Sequence, residues 1–437
     1  MPTAVAAGRV RMCRRWSRGA AWAALLHPAV LGLAWAQEPA PGAPAGLKAT
    51  PADRAVQLDW DKNSDGATFW YRVYVATQRD GEYRRVAEMQ HTLFKGKAHR
   101  MTMGAIGGLA NGTAYYFKVQ ALTHDRRGES PFSETVAVTP AAHNTIPVPY
   151  IEGTWRRIAE RAPNVSPYNS ANHNACDFTL WQPADGTWQC VSCIRETSYP
   201  GRTRLLHRWE ADSITDSDWR PKGVFWTSGT DGKPDAFGRI LGENTPYTRE
   251  GRMQAPHCVR ADGKYYMLHN NDGAYCFSSD DGLDFGYQPR FDGAMCFFPM
   301  GRDVMVLDNR ERDGLWYAYY AANAIAPGNA PGIAARTARD LLGPWSDEEQ
   351  YVPCDGFFES PFVLYRRGYY YTFQPCVLYA STDSLDFSGP LLTKLADANG
   401  ESRAAVEVVQ DRQGQYYVAG YGKGGISVAK LVWTAPR

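Results

Sequence analysis

The chain has 437 residues, 44% of them hydrophobic and 21% charged, which is typical of a globular protein of two or three domains and not of a disordered or membrane-embedded chain. Its formal net charge of +1 argues against the basic face that nucleic-acid binding needs. The 41 glycines, 28 prolines and 13% aromatic residues indicate many short strands joined by turns.

The first 36 residues have the pattern of a cleavable export signal. Five arginines between Arg9 and Arg18 precede an apolar run over Ala20–Leu33, which is too short to span a bilayer well, and Ala34-Trp35-Ala36 has the small-x-small form of a cleavage site. We predict cleavage after Ala36 and a secreted or periplasmic protein without a transmembrane segment. Cleavage lowers the number of Lys and Arg from 47 to 42 against 46 Asp and Glu, so the mature chain has a net charge of −4.

After a linker at 37–45, residues 46–140 show the period-two alternation of half-buried strands. Apolar residues occupy every second position in three segments, which begin at Val56, Tyr71 and Tyr115. This alternation predicts an antiparallel β-sandwich.

A short motif in this region carries a resemblance. The order Leu109-x-x-Gly-Thr-x-Tyr115, together with Trp60 on the second strand, resembles the fibronectin type III module. The resemblance implies that the hydroxyl of Tyr115 hydrogen-bonds back across a corner between the two sheets. It also implies a module without catalytic groups, which acts as a spacer or docks the protein to a cell surface or a glycan.

A Pro- and Asn-rich linker at 141–170, in which Trp155–Arg161 is expected to form a short helix or a strap, leads to a fivefold repeat over 171–437. Each repeat is a strand, a glycine turn and an aromatic strand, with the turn glycines at Gly186, Gly263, Gly314, Gly368 and Gly414. The starts of the repeats are 77, 49, 56 and 45 residues apart, with one insertion at Ser213–Glu250. This is the period of a four-stranded propeller blade, so we predict five blades.

The predicted propeller brings acidic residues together. The first strand of each blade lines the central axis, so equivalent residues of these strands converge at one end of it. We take the repeat starts as equivalent, which gathers Asp177, Gln254, Asp303, Glu359 and Ala404. Three carboxylates in one narrow funnel repel one another, so at least one is expected to keep its proton near neutral pH. A protonated acid beside an ionised base or nucleophile is what glycoside hydrolysis requires.

Two motifs on these strands, Arg302-Asp303 and Phe358-Glu359-Ser-Pro, resemble those of the five-bladed glycosidases of glycoside hydrolase family 43 and its neighbours, families 32 and 117. The resemblance implies an all-β chain, in which a fibronectin type III sandwich precedes a five-bladed β-propeller that hydrolyses a poly- or oligosaccharide. It implies that Asp177 is the general base, Asp303 the orienting carboxylate that raises the pKa of the acid, and Glu359 the general acid. Family 43 favours inversion and family 32 retention.

The sequence departs from this family at three positions. Phe178 and Val304 follow the two aspartates where the family usually has proline, and Ala404 stands where many relatives have a histidine near a central metal or water. We therefore predict no cofactor and no metal site, and a structural calcium stays open as an alternative. The departures motivate an alternative, a non-catalytic carbohydrate-binding propeller with the sandwich as adaptor, although the presence of all three acids opposes it.

Residues around the acids are candidates for binding the substrate: His173, Trp181, Arg195, Gln254, His257 and Arg302. Arg195 and Arg302 could bind a hydroxyl or a substrate carboxylate, and Arg302 could instead form a structural salt bridge with an axial acid. His257 is as compatible with the core as with the site.

Two further acids remain alternatives for the site. Asp308 would replace Asp303 if the register of the third blade were slipped, and Glu407 could enter the funnel from the fifth blade or point outward.

Eight cysteines follow the predicted signal. Cys190-x-x-Cys193 has no partner pair at zinc spacing, so it is a weak metal or redox motif. The pattern favours buried cysteines on strands with one or two disulfides, whose pairing the sequence does not assign.

Overall fold

The structure is a computed structural model that describes residues 39–90, 100–143, 145–199, 204–226, 253–270, 273–299, 301–328, 330–354, 359–374 and 376–434. The predicted signal peptide at 1–36, residues 227–250 of the predicted insertion and Phe358 lie outside the described residues. The described part is all-β, as predicted, and its single helix is the one-turn α1 (Arg310–Asp313). None of its helices is long and apolar enough to cross a membrane.

Two sheets form the N-terminal sandwich. One contains β1 (Lys48–Ala52), β2 (Ala55–Asp61) and β5 (Arg100–Gly107), and the other contains β3 (Trp70–Ala76), β4 (Arg84–Gln90), β6 (Tyr115–Leu122), β7 (Glu129–Phe132) and β8 (Val136–Val138). The alternating apolar residues of both sheets share one buried core, in which Trp60 and Tyr71 meet edge to face at 5.3 Å. The backbone N–H of Ala110 donates to the hydroxyl of Tyr115 at 3.0 Å, which confirms the predicted corner.

The sandwich is fixed to the propeller through Asp53. The backbone N–H of Asp53 donates to the carbonyl of Leu392 at 3.1 Å, and the hydroxyl of Thr393 donates to the carbonyl of Asp53 at 2.6 Å. The guanidinium of Arg54 lies 4.1 Å from the ring centre of Tyr150, a cation–π contact. The module therefore packs directly on the outer strands of the fourth and fifth blades.

Five antiparallel four-stranded sheets form the blades. The first contains β10 (Asn174–Trp181), β11 (Trp188–Arg195), β12 (Leu205–Ala211) and β13 (Arg220–Trp226), and the second β14 (Gln254–Ala261), β15 (Lys264–Asn270), β16 (Ala274–Ser279) and β17 (Gly286–Tyr287). The third contains β18 (Arg302–Asp308), β19 (Trp316–Ala326), β20 (Ala330–Ala338) and β21 (Gln350–Val352), and the fourth β22 (Phe362–Arg366), β23 (Tyr369–Phe373), β24 (Val377–Ser381) and β25 (Thr393–Lys394). The fifth contains β26 (Ala404–Gln410), β27 (Tyr416–Gly422), β28 (Gly425–Trp433) and β9 (Pro149–Glu160).

The five blades close into a ring, which confirms the predicted five-bladed propeller. First strands of consecutive blades contact one another, and β26 of the fifth blade contacts β10 of the first. The five predicted turn glycines all have left-handed φ angles between 78° and 90°, a conformation that glycine adopts without steric cost.

The ring is completed by a strand from the linker. Trp155–Arg161 was expected to be a short helix or a strap, but most of this segment belongs to β9, which pairs antiparallel with β28. The outer strand of the fifth blade thus comes from before the first blade, so the two ends of the repeat region are joined by main-chain hydrogen bonds.

All eight cysteines that follow the predicted signal are free thiols, and six of them are buried. The expectation of one or two disulfides is therefore wrong. Cys190 and Cys193 lie buried on the same strand, β11, where they contribute to two different hydrophobic clusters. Packing accounts for their burial.

Candidate active site

A β-bulge recurs at the same place on the first strands of four blades. In each case two residues oppose a single residue of the second strand, at 176–177, 255–256, 303–304 and 405–406. A bulge bends its strand and re-aims the side chains beside it.

The bulges correct the predicted register of the acids. By strand pairing, Arg302 and not Asp303 is the equivalent of Gln254 and Ala404, while Asp303 and Asp177 lie inside their bulges. Glu359 precedes Ser360, whose φ of 48° matches the 47° of Ala255 and the 45° of Ala405, so it is the fourth-blade equivalent of Arg302. The three acids thus occupy three successive positions of the register, Glu359 the first, Asp303 the second and Asp177 the third. Counting residues back from a turn does not show this, because it does not reveal where a bulge adds a residue.

All three acids nevertheless line one cavity. The cavity has a volume of about 210 Å³, and every blade contributes to its lining, which consists of Asp177, Arg195, Arg204, Gln254, Arg302, Asp303, Glu359, Ser360, Ala404, Ala405 and Tyr421. Six residues that were predicted for the site therefore meet here: Asp177, Arg195, Gln254, Arg302, Asp303 and Glu359.

Asp303 is the most strongly perturbed acid. Its side chain is only 8% exposed, and its φ of 62° is a left-handed conformation that costs energy for a residue other than glycine. The side-chain oxygen of Asn270 accepts its backbone N–H at 3.2 Å, and its own carboxylate accepts the backbone N–H of Ser360 at 3.2 Å. Burial, reinforced by the charges of Asp177 and Glu359, raises its pKa to about 8.

Arg302 connects two of the acids. Its Nε lies 2.9 Å from Oε1 of Glu359 and 3.7 Å from Oδ2 of Asp303, and its Nη1 donates to the side-chain oxygen of Asn323 at 3.0 Å. The predicted alternative, a salt bridge of Arg302 with an axial acid, is thus present in the structure.

Asp177 lies on the first-blade side of the cavity. Burial raises its pKa, the positive charges of Arg195 and Arg204 oppose that shift, and the charge of Glu359 adds to it. Two acids with raised pKa values, Asp177 and Asp303, therefore share the cavity.

Two side-chain amides position the other arginines. Nε of Arg195 donates to Oδ1 of Asn174 at 3.0 Å, and Nη1 of Arg204 donates to Oε1 of Gln254. Gln254 thus orients an arginine from its position on the axis.

Sequence reasoning missed Arg204, Ser360 and Tyr421. Arg204 lies just before β12, outside the repeated motif, so no spacing marks it. Tyr421 pairs with Ala404 beside the bulge of the fifth blade, and burial raises its pKa to about 12. Its position opposite Ala404 on the neighbouring strand is the one feature from which Tyr421 could have been predicted.

His257 forms a buried pair outside the cavity lining. Its Nδ1 lies 3.0 Å from Oε1 of Glu407 and its Nε2 lies 3.3 Å from the carbonyl of Val306, while Oε2 of Glu407 accepts the backbone N–H of Leu180 at 3.1 Å. The imidazole therefore bridges the carboxyl group of Glu407 and the backbone of the third blade. The pair ties blades one, two, three and five together, and the geometry does not support a substrate-binding role for His257.

His173 and Trp181 also lie away from the cavity lining. The ring nitrogens of His173 lie 2.6 Å and 2.9 Å from the carbonyls of Ser170 and Pro163. Trp181 is buried and donates its Nε1–H to the carbonyl of Gly282 at 2.8 Å. Both side chains hydrogen-bond to backbone carbonyls, and their role in substrate binding stays a prediction.

Asp308 is likewise excluded as a replacement for Asp303. Its carboxylate lies 2.8 Å from Nη2 of Arg310, outside the cavity lining. Within the described ranges, no cluster of three or more His, Cys, Asp or Glu side chains is arranged to hold a metal ion.

Comparison with known proteins finds similarity among solved structures. No family model matches the chain, and no curated protein matches it. An endo-arabinase from Bacteroides thetaiotaomicron VPI-5482 is 12% identical, with 64% of this chain and 98% of that chain covered and a TM-score of 0.41. An α-L-arabinofuranosidase from Clostridium thermocellum ATCC 27405 is 13% identical, with 60% and 91% covered and a TM-score of 0.42. An Fn3-like protein from Clostridium thermocellum is 26% identical, with 24% and 98% covered and a TM-score of 0.18.

Proposed function

We propose that the protein is a glycoside hydrolase that cleaves a poly- or oligosaccharide by carboxylate acid/base catalysis. One observation supports this most: Asp177, Asp303 and Glu359, from three different blades, line one cavity at the axis of the ring. A pKa of about 8 for Asp303 gives this cavity a protonated carboxyl group at neutral pH. Acid and base forms of carboxyl groups side by side are the requirement of glycosidic bond hydrolysis.

In this proposal Asp177 is the general base and Glu359 the general acid. Asp303 and Glu359 both lie beside Nε of Arg302, at 3.7 Å and 2.9 Å, so they form a neighbouring pair in which the charge of Glu359 adds to the raised pKa of Asp303. Burial favours the proton on Asp303. The leaving-group oxygen then receives its proton from this pair through Glu359, the more exposed member.

We infer that the reaction inverts the anomeric configuration. Asp177 belongs to blade one with Arg195 and Arg204, whereas Glu359 is held by Arg302 on the side of blades three and four. Inversion requires the two carboxyl groups to lie roughly 6.5–9.5 Å apart, with a water molecule between them. NMR of the first product formed tests this, since a product that keeps the anomeric configuration would contradict it.

The hydrolase proposal is tested with purified protein on a panel of aryl glycosides and of plant and algal polysaccharides. We expect release of reducing ends by the wild type, and a loss of ~10²-fold or more in Glu359→Gln. Asp308→Asn, an acid outside the cavity, is the matched control and is expected to retain activity. Binding of glycans without turnover would instead support the alternative of a non-catalytic carbohydrate-binding propeller.

We also propose that the protein is exported with its N-terminal signal removed. The support is the arginine-rich start, the apolar run and the Ala34-Trp35-Ala36 site. Protein recovered from the medium or periplasm should begin at Gln37, and a cell-associated protein that retains residues 1–36 would contradict export.

We further propose that the sandwich docks the protein to a glycan. Phe132 on its outer sheet is 40% exposed, lies 5.2 Å from Tyr74 and carries Lys118 Nζ at 3.9 Å from its ring centre. Exposed aromatic rings stack on sugar faces, so Phe132→Ala should weaken binding to insoluble polysaccharide while hydrolysis of soluble substrate is unchanged. Phe291→Ala, which alters an exposed ring in the propeller region, is the control; equal losses in both variants would contradict docking through the sandwich.

A further inference from the structure

The cavity contains two arginines that are held by neutral groups. Arg195 is oriented by the amide oxygen of Asn174 at 3.0 Å, and Arg204 by the amide oxygen of Gln254. Among the described residues, neither guanidinium lies within ion-pair distance of a carboxylate, unlike Arg302 with Glu359 at 2.9 Å. Each guanidinium has five N–H donors, and the amide uses one of them.

The cavity therefore carries an excess of positive charge. Its described lining has three arginines and three carboxyl groups, and Arg302 is neutralised by direct contact with Glu359. Asp303, with a pKa of about 8, is uncharged at neutral pH. Asp177 remains as the one acid near Arg195 and Arg204, so a single carboxyl group faces two guanidinium groups.

A neutral sugar does not need such an arrangement. Hydroxyl groups are bound well by amides and carboxylates, whereas the planar fork of a guanidinium matches an oxyanion in a two-point contact. Both arginines belong to blade one, at the end of β11 and just before β12, so they present their charge on the same side of the cavity as Asp177.

We propose that the substrate is an anionic glycan, in which a carboxylate or a sulfate ester on the sugar bound in the cavity contacts Arg195 and Arg204. This inference rests on the proposed hydrolase function for its catalytic consequence, but the binding of an anionic sugar can be measured without turnover. Both candidate anions share the oxyanion chemistry that the guanidinium groups recognise.

The test uses matched oligosaccharides. Binding to the Glu359→Gln protein is measured by calorimetry with uronate-containing oligosaccharides and their carboxyl-reduced forms, and with sulfated oligosaccharides and their desulfated forms. We expect the anionic member of one pair to bind ~10- to 100-fold more tightly than its neutral form, and Arg195→Gln or Arg204→Gln to abolish that difference. Arg195→Lys should restore part of it, and Arg220→Gln, an exposed arginine outside the cavity, should leave it unchanged. The pair that shows the preference identifies the anion.

The kinetic arm separates this inference from the proposed function. On a cleaved anionic substrate, Arg195→Gln should lower kcat/KM by ~10- to 100-fold, and on its neutral form by no more than about threefold. Equal losses of kcat/KM on both forms, or equal binding of the neutral and anionic forms, would overturn the inference. The arginines would then act only by stabilising the negative charge of Asp177. Preferential anionic binding with no hydrolysis of any substrate by the wild type would overturn the hydrolase proposal and leave the anion site standing.

Discussion

The guanidinium of Arg302 and the carboxylate of Glu359 occupy equivalent positions on neighbouring blades and meet at 2.9 Å. The ring geometry places these two side chains side by side at the axis. Each of them directly precedes a residue with a left-handed φ, which is Asp303 on the third blade and Ser360 on the fourth. The two side chains therefore form one ion pair in the cavity lining.

If Arg302 and Glu359 act together, the losses of kcat/KM caused by substituting each of them should not multiply in the double variant. We expect Arg302→Met and Glu359→Gln each to lower kcat/KM by ~10²-fold or more, and the double variant to be little worse than the more damaged single one. The measurement is kcat/KM for the four proteins of the cycle on one substrate. Losses that multiply would show that the two side chains act independently.

The raised pKa of Asp303 predicts a pH dependence of stability. Between about pH 4 and pH 8 the folded protein binds a proton at Asp303 that the unfolded chain releases, so the free energy of unfolding falls as the pH rises through this window. The full effect is up to several kcal/mol, at about 1.4 kcal/mol per unit of pKa shift. Urea unfolding at pH 5 and pH 8 measures it, and Asp303→Asn should flatten the difference.

Asp308→Asn is the control for this pH dependence. The pKa of Asp308 is lowered, since the hydrogen bonds from Arg310 outweigh its burial, so its contribution is lost only under more acidic conditions. Its substitution should leave the pH 5 to pH 8 difference unchanged. A difference in Asp303→Asn as large as that of the wild type would show that Asp303 does not hold the proton.

The His257–Glu407 pair predicts a large asymmetry in stability. His257→Leu leaves the buried carboxyl group of Glu407 without its side-chain hydrogen-bond partner, which should cost about 1–3 kcal/mol of unfolding free energy. Replacing both side chains by leucine should cost less than this single change. His207→Leu is the matched control, because His207 is buried but neutral at pH 7, with a pKa that burial lowers to about 4. Equal costs for His257→Leu and His207→Leu in urea unfolding would contradict a stabilising role of the His257–Glu407 contact.

The free cysteines predict a thiol count. Protein that begins at Gln37 should titrate eight thiols in denaturant without reductant, because all eight cysteines are free. In the folded protein the six buried cysteines should react only as fast as the protein opens, since burial raises the pKa of thiols such as Cys276 and Cys376 and excludes the reagent. Fewer than eight thiols in denaturant would reveal a disulfide.

The local features of this fold were predictable from the sequence, and the non-local ones were not. The blade turns are encoded by single glycines that require a left-handed φ, so five of them at regular spacing predicted five blades. β9 pairs with β28 more than 250 residues later, and no local pattern in Trp155–Arg161 indicates its partner. Ring closure by a distant strand depends on tertiary packing.

The same division holds within the site. The three acids were found because they lie at or near the starts of the repeated first strands, although bulges shift Asp177 and Asp303 within the register. Arg204 was missed because it reaches the cavity from a loop that no repeat marks. His257 was predicted to bind substrate, since the sequence places it three residues after Gln254 but cannot show that Glu407, on the fifth blade, pairs with it.

The rate of Glu359→Gln on a series of aryl glycosides tests the central claim most directly. If Glu359 delivers the proton to the departing oxygen, kcat/KM should fall little for acidic phenols, which leave without help, and by ~10²- to 10⁴-fold for poor leaving groups. The same series is measured for Asp303→Asn. A loss in Glu359→Gln that is uniform over the series, or a leaving-group dependence that appears only in Asp303→Asn, would contradict the assignment of Glu359 as the acid.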